Sequence, residues 1–189
     1  MIDPNNIVEY NYTDDQLEEL AIFCICVAGK TAKTIAPRVH TLVKGAKECV
    51  LGVFDYIAHV YLTDYILSHD LKDLGIGCYT AKAESIFQLI NSEFDLRTCS
   101  VSDLETIKGI GPKTSRFFIM SSREGVEYAA LDTHVLKWLR DQGIENVPKS
   151  TPSGKRYLDL EQTYLKMIPR GKTAAEFDLE IWREYSGNL

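Results

Sequence analysis

Apolar residues in this chain recur mostly three and four positions apart, the spacing that lays one stripe along a helix. From Asp14 to Ala28 they fall at Leu17, Leu20 and Ala21 and then crowd into Ile22-Phe-Cys-Ile-Cys-Val27. A helix is predicted there, opened by Asp14 and Asp15 as caps and closed at Gly29. The same spacing predicts helices over 31–43, 47–60, 62–69, 79–93, 102–108, 112–122, 132–142, 154–168 and 173–185, each set off by Gly, Asp or Ser. No run of alternating positions predicts a sheet, and no internal repeat, low-complexity stretch or long linker breaks the pattern. The expectation is an all-α protein of roughly ten short helices.

Composition changes this picture little. The chain has 189 residues, 45% hydrophobic and 25% charged, ordinary for a soluble globular protein with room for one sizeable domain or two lobes. The longest apolar run, Leu20 to Ala28, is too short to cross a bilayer. No signal-peptide layout opens the sequence, so a cytoplasmic protein without a membrane partner is expected. The five cysteines, Cys24, Cys26, Cys49, Cys78 and Cys99, are odd in number and form no metal-finger pairs, and are read as structural thiols. The four histidines carry no metal-ligand spacing, and no metal held by side chains is expected.

Charge matters more by position than by sum. The net charge of -6 argues against a phosphate-rich partner. Residues 1–20, however, hold six acids and no base, so residues 21–189 sum to -6 + 6 = 0. From Lys108 to Arg140 six bases face three acids, a local 6 − 3 = +3. Such a patch suits a polyanion, although a charge cluster alone is most often a solvated face.

The candidate chemistry lies within that patch. Ser102 and Glu105 have the spacing of a capping box. Gly109-Ile110-Gly111 then predicts a sharp turn, and Pro112 suits the first turn of the next helix. Ile107, Ile110, Phe117 and Phe118 are the apolar residues available to hold the two helices together. A hairpin of this kind presents backbone N–H groups at a helix N-terminus, a seat for a phosphate oxygen. An ordinary helix–helix corner would carry the same glycines. Lys113 falls in the first turn, where the helix dipole disfavours the ammonium form and partial burial would disfavour it further, as a nucleophilic amine needs. Nineteen residues on, Leu131-Asp132-Thr-His-Val135 opens another helix with Asp132 as its N-cap. Taken singly these are a surface lysine and a capping aspartate. Gly29-Lys30-Thr31 and Gly171-Lys172-Thr173 resemble the end of a phosphate loop, but Cys24 and Lys166 stand where its first glycine is required.

Lys108-Gly-Ile-Gly-Pro-Lys113-Thr-Ser followed by Leu131-Asp-Thr-His-Val135 resembles the signature of the helix-hairpin-helix DNA glycosylase superfamily. Gly77-Cys-Tyr-Thr-Ala-Lys82-Ala resembles a helix of its endonuclease III branch, and the resemblance extends from about Gln16 to Trp182. No cysteine follows Cys99, so the iron–sulfur motif of that branch is absent and no cofactor is expected. The tail, with Phe177-Asp-Leu-Glu-Ile-Trp182, looks instead like that of the compact 8-oxoguanine DNA glycosylases. This resemblance implies two helical lobes with the active site in the cleft between them. One is a six-helix lobe over 15–125 carrying the helix-hairpin-helix at about 102–122. The other is formed by both termini, 1–14 with 126–189.

The resemblance also implies roles. Lys113 and Asp132 would be catalytic, and Gly109, Ile110, Gly111 and Thr114 would hold the DNA backbone. A monovalent cation at the hairpin carbonyls would help. Cys78, Trp182, Phe177 and Lys30 would line or approach the base pocket. The implied partner is double-stranded DNA with a damaged base, met by a monomer that removes 8-oxoguanine and nicks the strand by imine chemistry. The related short enzymes read the base partly with a C-terminal lysine, whereas this sequence ends Gly187-Asn188-Leu189. Two other readings stay open: a base-hypermodifying transferase on the same scaffold, and a non-catalytic hairpin module that only binds DNA.

Overall fold

The computed structural model describes residues 1–187, so that Asn188 and Leu189 of the chain's last tripeptide lie outside the described residues. It divides into two compact units, one of residues 1–6 and 11–111, the other of residues 7–10 and 112–189. Among the described residues every regular element is a helix. The division falls between Gly111 and Pro112, so the helix after the glycine turn groups with the second unit and the one before it with the first.

The first unit is built around α1 (Asp14–Val27), whose residues from Leu20 to Val27 are all buried. That explains the crowded apolar run: a helix covered on every side shows no polar face. Fully burying side chains such as Leu20, Ile22 and Phe23 contributes about 1.5–3 kcal/mol each relative to exposure. Thr13, rather than Asp14 or Asp15, caps the helix, in a reciprocal box with Gln16. Around α1 lie α2 (Ala32–Val43), α4 (Val53–Val60) and α6 (Tyr79–Ile90), with α5 (Asp64–Asp73) packed along α6. The single helix expected over 47–60 is two, α3 (Gly45–Cys49) and α4, because Val50 takes a left-handed conformation (φ 55°) and stops the first. The helix expected over 62–69 starts at Asp64, capped by Thr63, and runs on to Asp73.

The element before the glycine turn, α7 (Val101–Leu104), is shorter than expected and capped two residues earlier. Ser100 accepts from the Asp103 N–H at 3.1 Å, and Asp103 returns a carboxylate to the Ser100 N–H at 2.8 Å. Ser102, expected to be the cap, instead shares a hydroxyl contact with Ser100. Two overlapping S-x-x-[DE] matches compete here, and the extended backbone of Ser100 decides between them.

The second unit contains α8 (Pro112–Ser122), α9 (Thr133–Asp141), α10 (Gly154–Leu165) and α11 (Ala174–Tyr185), close to the expected spans. Its core gathers Leu136, Leu139, Tyr157, Tyr164, Phe177 and Ile181, with Trp138 packed against it. A smaller cluster of Met120, Ala130, Ala174 and Ala175 draws in Val8, whose neighbour Glu9 donates its N–H to Ser121 O at 3.0 Å. α11 packs on both α8 and α9, the two helices whose first turns carry Lys113 and Asp132.

Candidate active site

In the first unit the glycine turn is held by α6. The Ser85 hydroxyl donates to Lys108 O at 2.6 Å, Gln88 accepts the Lys108 N–H at 2.8 Å, and the Lys108 ammonium pairs with Glu84 at 2.9 Å. Gly109 has φ +91°, and a β-carbon there would stand 2.5 Å from Ser85 Oγ, so both backbone and space require glycine. Gly111 differs: its φ is not positive and a β-carbon would meet nothing within 4 Å. Only the first glycine therefore makes the turn; a side chain added at the second would enter open space. The Ile110 side chain is buried at 7% exposure, so this segment offers main chain rather than side chains. Ile107 O and Lys108 O already accept hydrogen bonds, from the Ile110 N–H and Ser85 respectively. Each keeps a second lone pair, which fits a weakly held cation.

Two of the expected pocket residues also lie in this unit. Cys78 is exposed and left-handed (φ 57°) at the start of α6. A β-carbon on Gly77 would collide with the Lys30 side chain, so Lys30 lies against the Gly77-Cys78 corner. Nearby, Lys82 is buried, and its ammonium donates to Cys26 O at 2.6 Å and Ala28 O at 3.2 Å, closing the C-terminus of α1. Desolvation pushes its pKa down, and the charge of Lys30 acts in the same direction.

The second unit holds the residues expected to do chemistry. Lys113 is half-buried in the first turn of α8, its Nζ 4.5 Å from the centroid of the Phe117 ring. It makes no ion pair among the described residues. Asp132 is the N-cap of α9, as its place in the sequence predicts. Its Oδ1 accepts the His134 N–H at 2.8 Å and the Val135 N–H at 2.9 Å. Those bonds fix the carboxylate and commit one oxygen, leaving Oδ2 for another partner.

A third ionisable group was not singled out by sequence reasoning. Asp178, on α11, is 8% exposed, and its Oδ1 has no hydrogen-bond partner. Burial pushes its carboxyl well above the usual carboxylate range; the charge of Asp132 adds to that shift and Lys113 opposes it. Asp178 thus feels both expected catalytic residues while having no satisfied role of its own, a condition that concentrates at functional sites. Its only trace in the sequence is a lone acid between the apolar Phe177 and Leu179.

The remaining expected residues separate. Trp182, one turn beyond Asp178, is half-buried, which leaves part of the indole uncovered. Phe177 is a core residue: its ring meets Trp138 edge-on at 5.2 Å and lies 5.7 Å from Tyr164. It is packed where α11 meets α9, so a base pocket would meet at most the uncovered remainder of its ring. Thr114, expected at the DNA backbone, is buried at 7% exposure on the inner side of α8. Among the described residues no group of three or more His, Cys, Asp or Glu side chains could hold a metal ion, and no helix is long and apolar enough to cross a membrane.

Solved structures define the class of fold. The 8-oxoguanine DNA glycosylase of Thermotoga maritima superposes with a TM-score of 0.67 and 26% identity, over 93% of this chain and 82% of that one. The 8-oxoguanine glycosylase/lyase of Methanocaldococcus jannaschii, in complex with a 15mer DNA containing 8-oxoguanine, gives 0.65 and 25%, over 94% and 84%. The chain has the all-helical, helix-hairpin-helix fold of these glycosylases. In sequence it resembles the same proteins. An 8-oxoguanine DNA glycosylase/AP lyase of Thermotoga sp. (strain RQ2) is 39% identical over 85 residues, 43% of this chain and 40% of that protein. That of Thermotoga maritima is 38% identical over 85 residues, with the same shares. The match therefore spans less than half the length of these curated relatives. No family model matches the chain.

Proposed function

We propose that this chain is a bifunctional DNA glycosylase/AP lyase that excises 8-oxoguanine from double-stranded DNA. The observation that carries the reading is the grouping of Lys113, unpaired in the first turn of α8, with the capped Asp132, both charges acting on the buried Asp178. The fold shared with 8-oxoguanine glycosylases supports the choice of substrate.

Lys113, as the neutral amine, would attack C1′ of the deoxyribose; the new N–C bond forms as the bond to the base breaks with its electron pair. Asp132, through Oδ2, would stabilise the positive charge developing on the sugar and help move protons. Ring opening then gives an imine, and loss of a C2′ proton expels the 3′ phosphate by β-elimination. Burial disfavours the charged form of Asp178, which favours Asp132 as the carboxylate that acts. The target base must first leave the stack, which costs a few kcal/mol. The main chain of the Gly109–Gly111 turn, with open space beside Gly111, would meet the phosphates that hold the distorted strand.

Borohydride reduction in the presence of duplexes containing 8-oxoguanine or an abasic site tests the whole reading. A protein–DNA adduct forms with both substrates and is lost in Lys113→Gln. Absence of an adduct with either duplex overturns the lyase assignment.

A further inference from the structure

A set of buried polar contacts in the second unit joins α10 to the two places where the reaction's residues enter. The Tyr157 side chain is 1% exposed. Its hydroxyl donates to Ala129 O at 2.5 Å, lies 3.3 Å from Pro112 O and accepts the Leu131 N–H at 3.2 Å. One turn further along α10, Glu161 Oε1 accepts the Ala129 N–H at 2.9 Å and Arg116 Nε at 2.7 Å. Arg116 stacks 4.7 Å over the Tyr157 ring, which closes the circuit. Thr151 adds a hydroxyl to Leu131 O at 2.8 Å.

The backbone groups held in this way are not scattered. Pro112 immediately precedes Lys113, and Ala129 to Leu131 is the segment that delivers Asp132. Ala129 has both its N–H and its carbonyl fixed by side chains four residues apart on one face of α10. Directional bonds of this kind constrain position in a way that apolar packing of the same volume does not. Burial pushes the Tyr157 hydroxyl pKa up, so the proton it donates is retained.

We propose that Tyr157 is a positioning residue for the excision reaction: its hydroxyl fixes the 129–131 segment against the first turn of α8 and thereby sets the placement of Asp132 relative to Lys113. Tyr157 is fully buried and acts only through those two residues, so the inference rests on the reading of them given above. Glu161, itself held by Arg116, fixes the Ala129 N–H of the same segment and serves the same purpose. Displacing reacting groups by about 1 Å is enough to reduce a rate by about 10²-fold.

The test compares Tyr157→Phe, Thr151→Val and the wild type in single-turnover excision of 8-oxoguanine at saturating enzyme, with DNA affinity and thermal midpoint measured alongside. Leu160→Ala, which hollows the core beside the network without touching its hydrogen bonds, is the stability control. Tyr157→Phe should slow excision roughly tenfold to a hundredfold with DNA affinity unchanged. Thr151→Val should slow it by less, and Leu160→Ala should stay within about twofold of the wild type despite an equal or larger fall in midpoint. Equal rates for Tyr157→Phe and wild type overturn the inference, as does a rate loss in Leu160→Ala that matches that of Tyr157→Phe. If Tyr157→Phe does not fold, Thr151→Val decides alone, and an unchanged rate there overturns the inference. An inactive wild type sinks the functional reading first and this inference with it; an active wild type matched by the variants sinks only the inference.

Discussion

Two lysines, one in each unit, show how differently a protein treats the same side chain. Lys82 is buried, and both of its hydrogen bonds go to carbonyls at the end of α1. Lys113 is half-buried, lies against the Phe117 ring and pairs with no acid among the described residues. Desolvation pushes the Lys82 pKa down, so on that criterion alone it is the better nucleophile. Its ammonium is nevertheless consumed by the helix end it closes, and its hydrogen bonds would have to break before it could react. A depressed pKa therefore marks a buried amine, whereas an amine left without a partner beside a carboxylate marks a reactive one.

The sharpest way to break this contrast is to remove each amine. Lys113→Gln should lower excision and strand cleavage by at least about 10³-fold, with the thermal midpoint nearly unchanged. Lys82→Met should do the reverse, reducing stability by about 1.5–3 kcal/mol as Cys26 O and Ala28 O lose their charged donor. Its turnover per folded molecule should be retained. Trapping that survives in Lys113→Gln and vanishes in Lys82→Met would exchange the two roles.

Next in size is the carboxylate of Asp132, which with Lys113 acts on Asp178. Asp132→Asn keeps an acceptor for the His134 and Val135 N–H groups, so α9 stays capped. Single-turnover excision should fall by about 10²–10³-fold with DNA affinity retained. A variant that turns over normally would reduce Asp132 to a helix cap.

The glycine turn provides a smaller but cleaner separation of fold from contact. Gly109→Ala strains a positive-φ position and pushes on Ser85, so both stability and DNA affinity should fall, the former by about 1–3 kcal/mol. Gly111→Ala meets open space, and its stability should stay within about 0.5 kcal/mol of wild type. If phosphate approaches that main chain, affinity measured by anisotropy should weaken several-fold in Gly111→Ala alone of all stability-neutral changes. Undisturbed affinity would move the DNA contact elsewhere.

These residues differ in how openly the sequence displayed them, and the reason is range. Gly109, Pro112 and the Asp132 cap are local features, set by a few neighbouring residues, and the structure places a turn, a helix start and an N-cap there. The helix break at Val50 left no such sign, because a β-branched residue is a poor candidate for left-handed backbone. Phe177 and Trp182 looked alike in the sequence and were parted only by what packs on α11: Trp138 and Tyr164 take the first and leave the second half-covered. Asp178 and Tyr157 were silent for the same reason. Nothing within four residues of either reveals that one meets the charges of Asp132 and Lys113 and the other a backbone segment 28 residues away.

Asp178 also offers the subtlest test, because its protonation is a statement about stability. Its carboxyl in the folded protein lies above its ordinary value of 3.8, chiefly through burial. Below that value the folded and unfolded chains both carry the proton, and the group imposes no pH-dependent loss. As pH rises the unfolded chain ionises first, so stability is drained until the folded carboxyl ionises too, and is flat beyond. Asp178→Asn removes the drain while keeping the shape. Its thermal midpoint should exceed that of wild type at neutral pH by about 2–4 °C, with the gap closing towards pH 4. The opposite outcome, a variant less stable than wild type by a margin that grows with pH, would mean that Asp178 is an ionised partner of Lys113. Lys113 would then be paired like Lys82, and the distinction between the two amines would no longer identify the nucleophile.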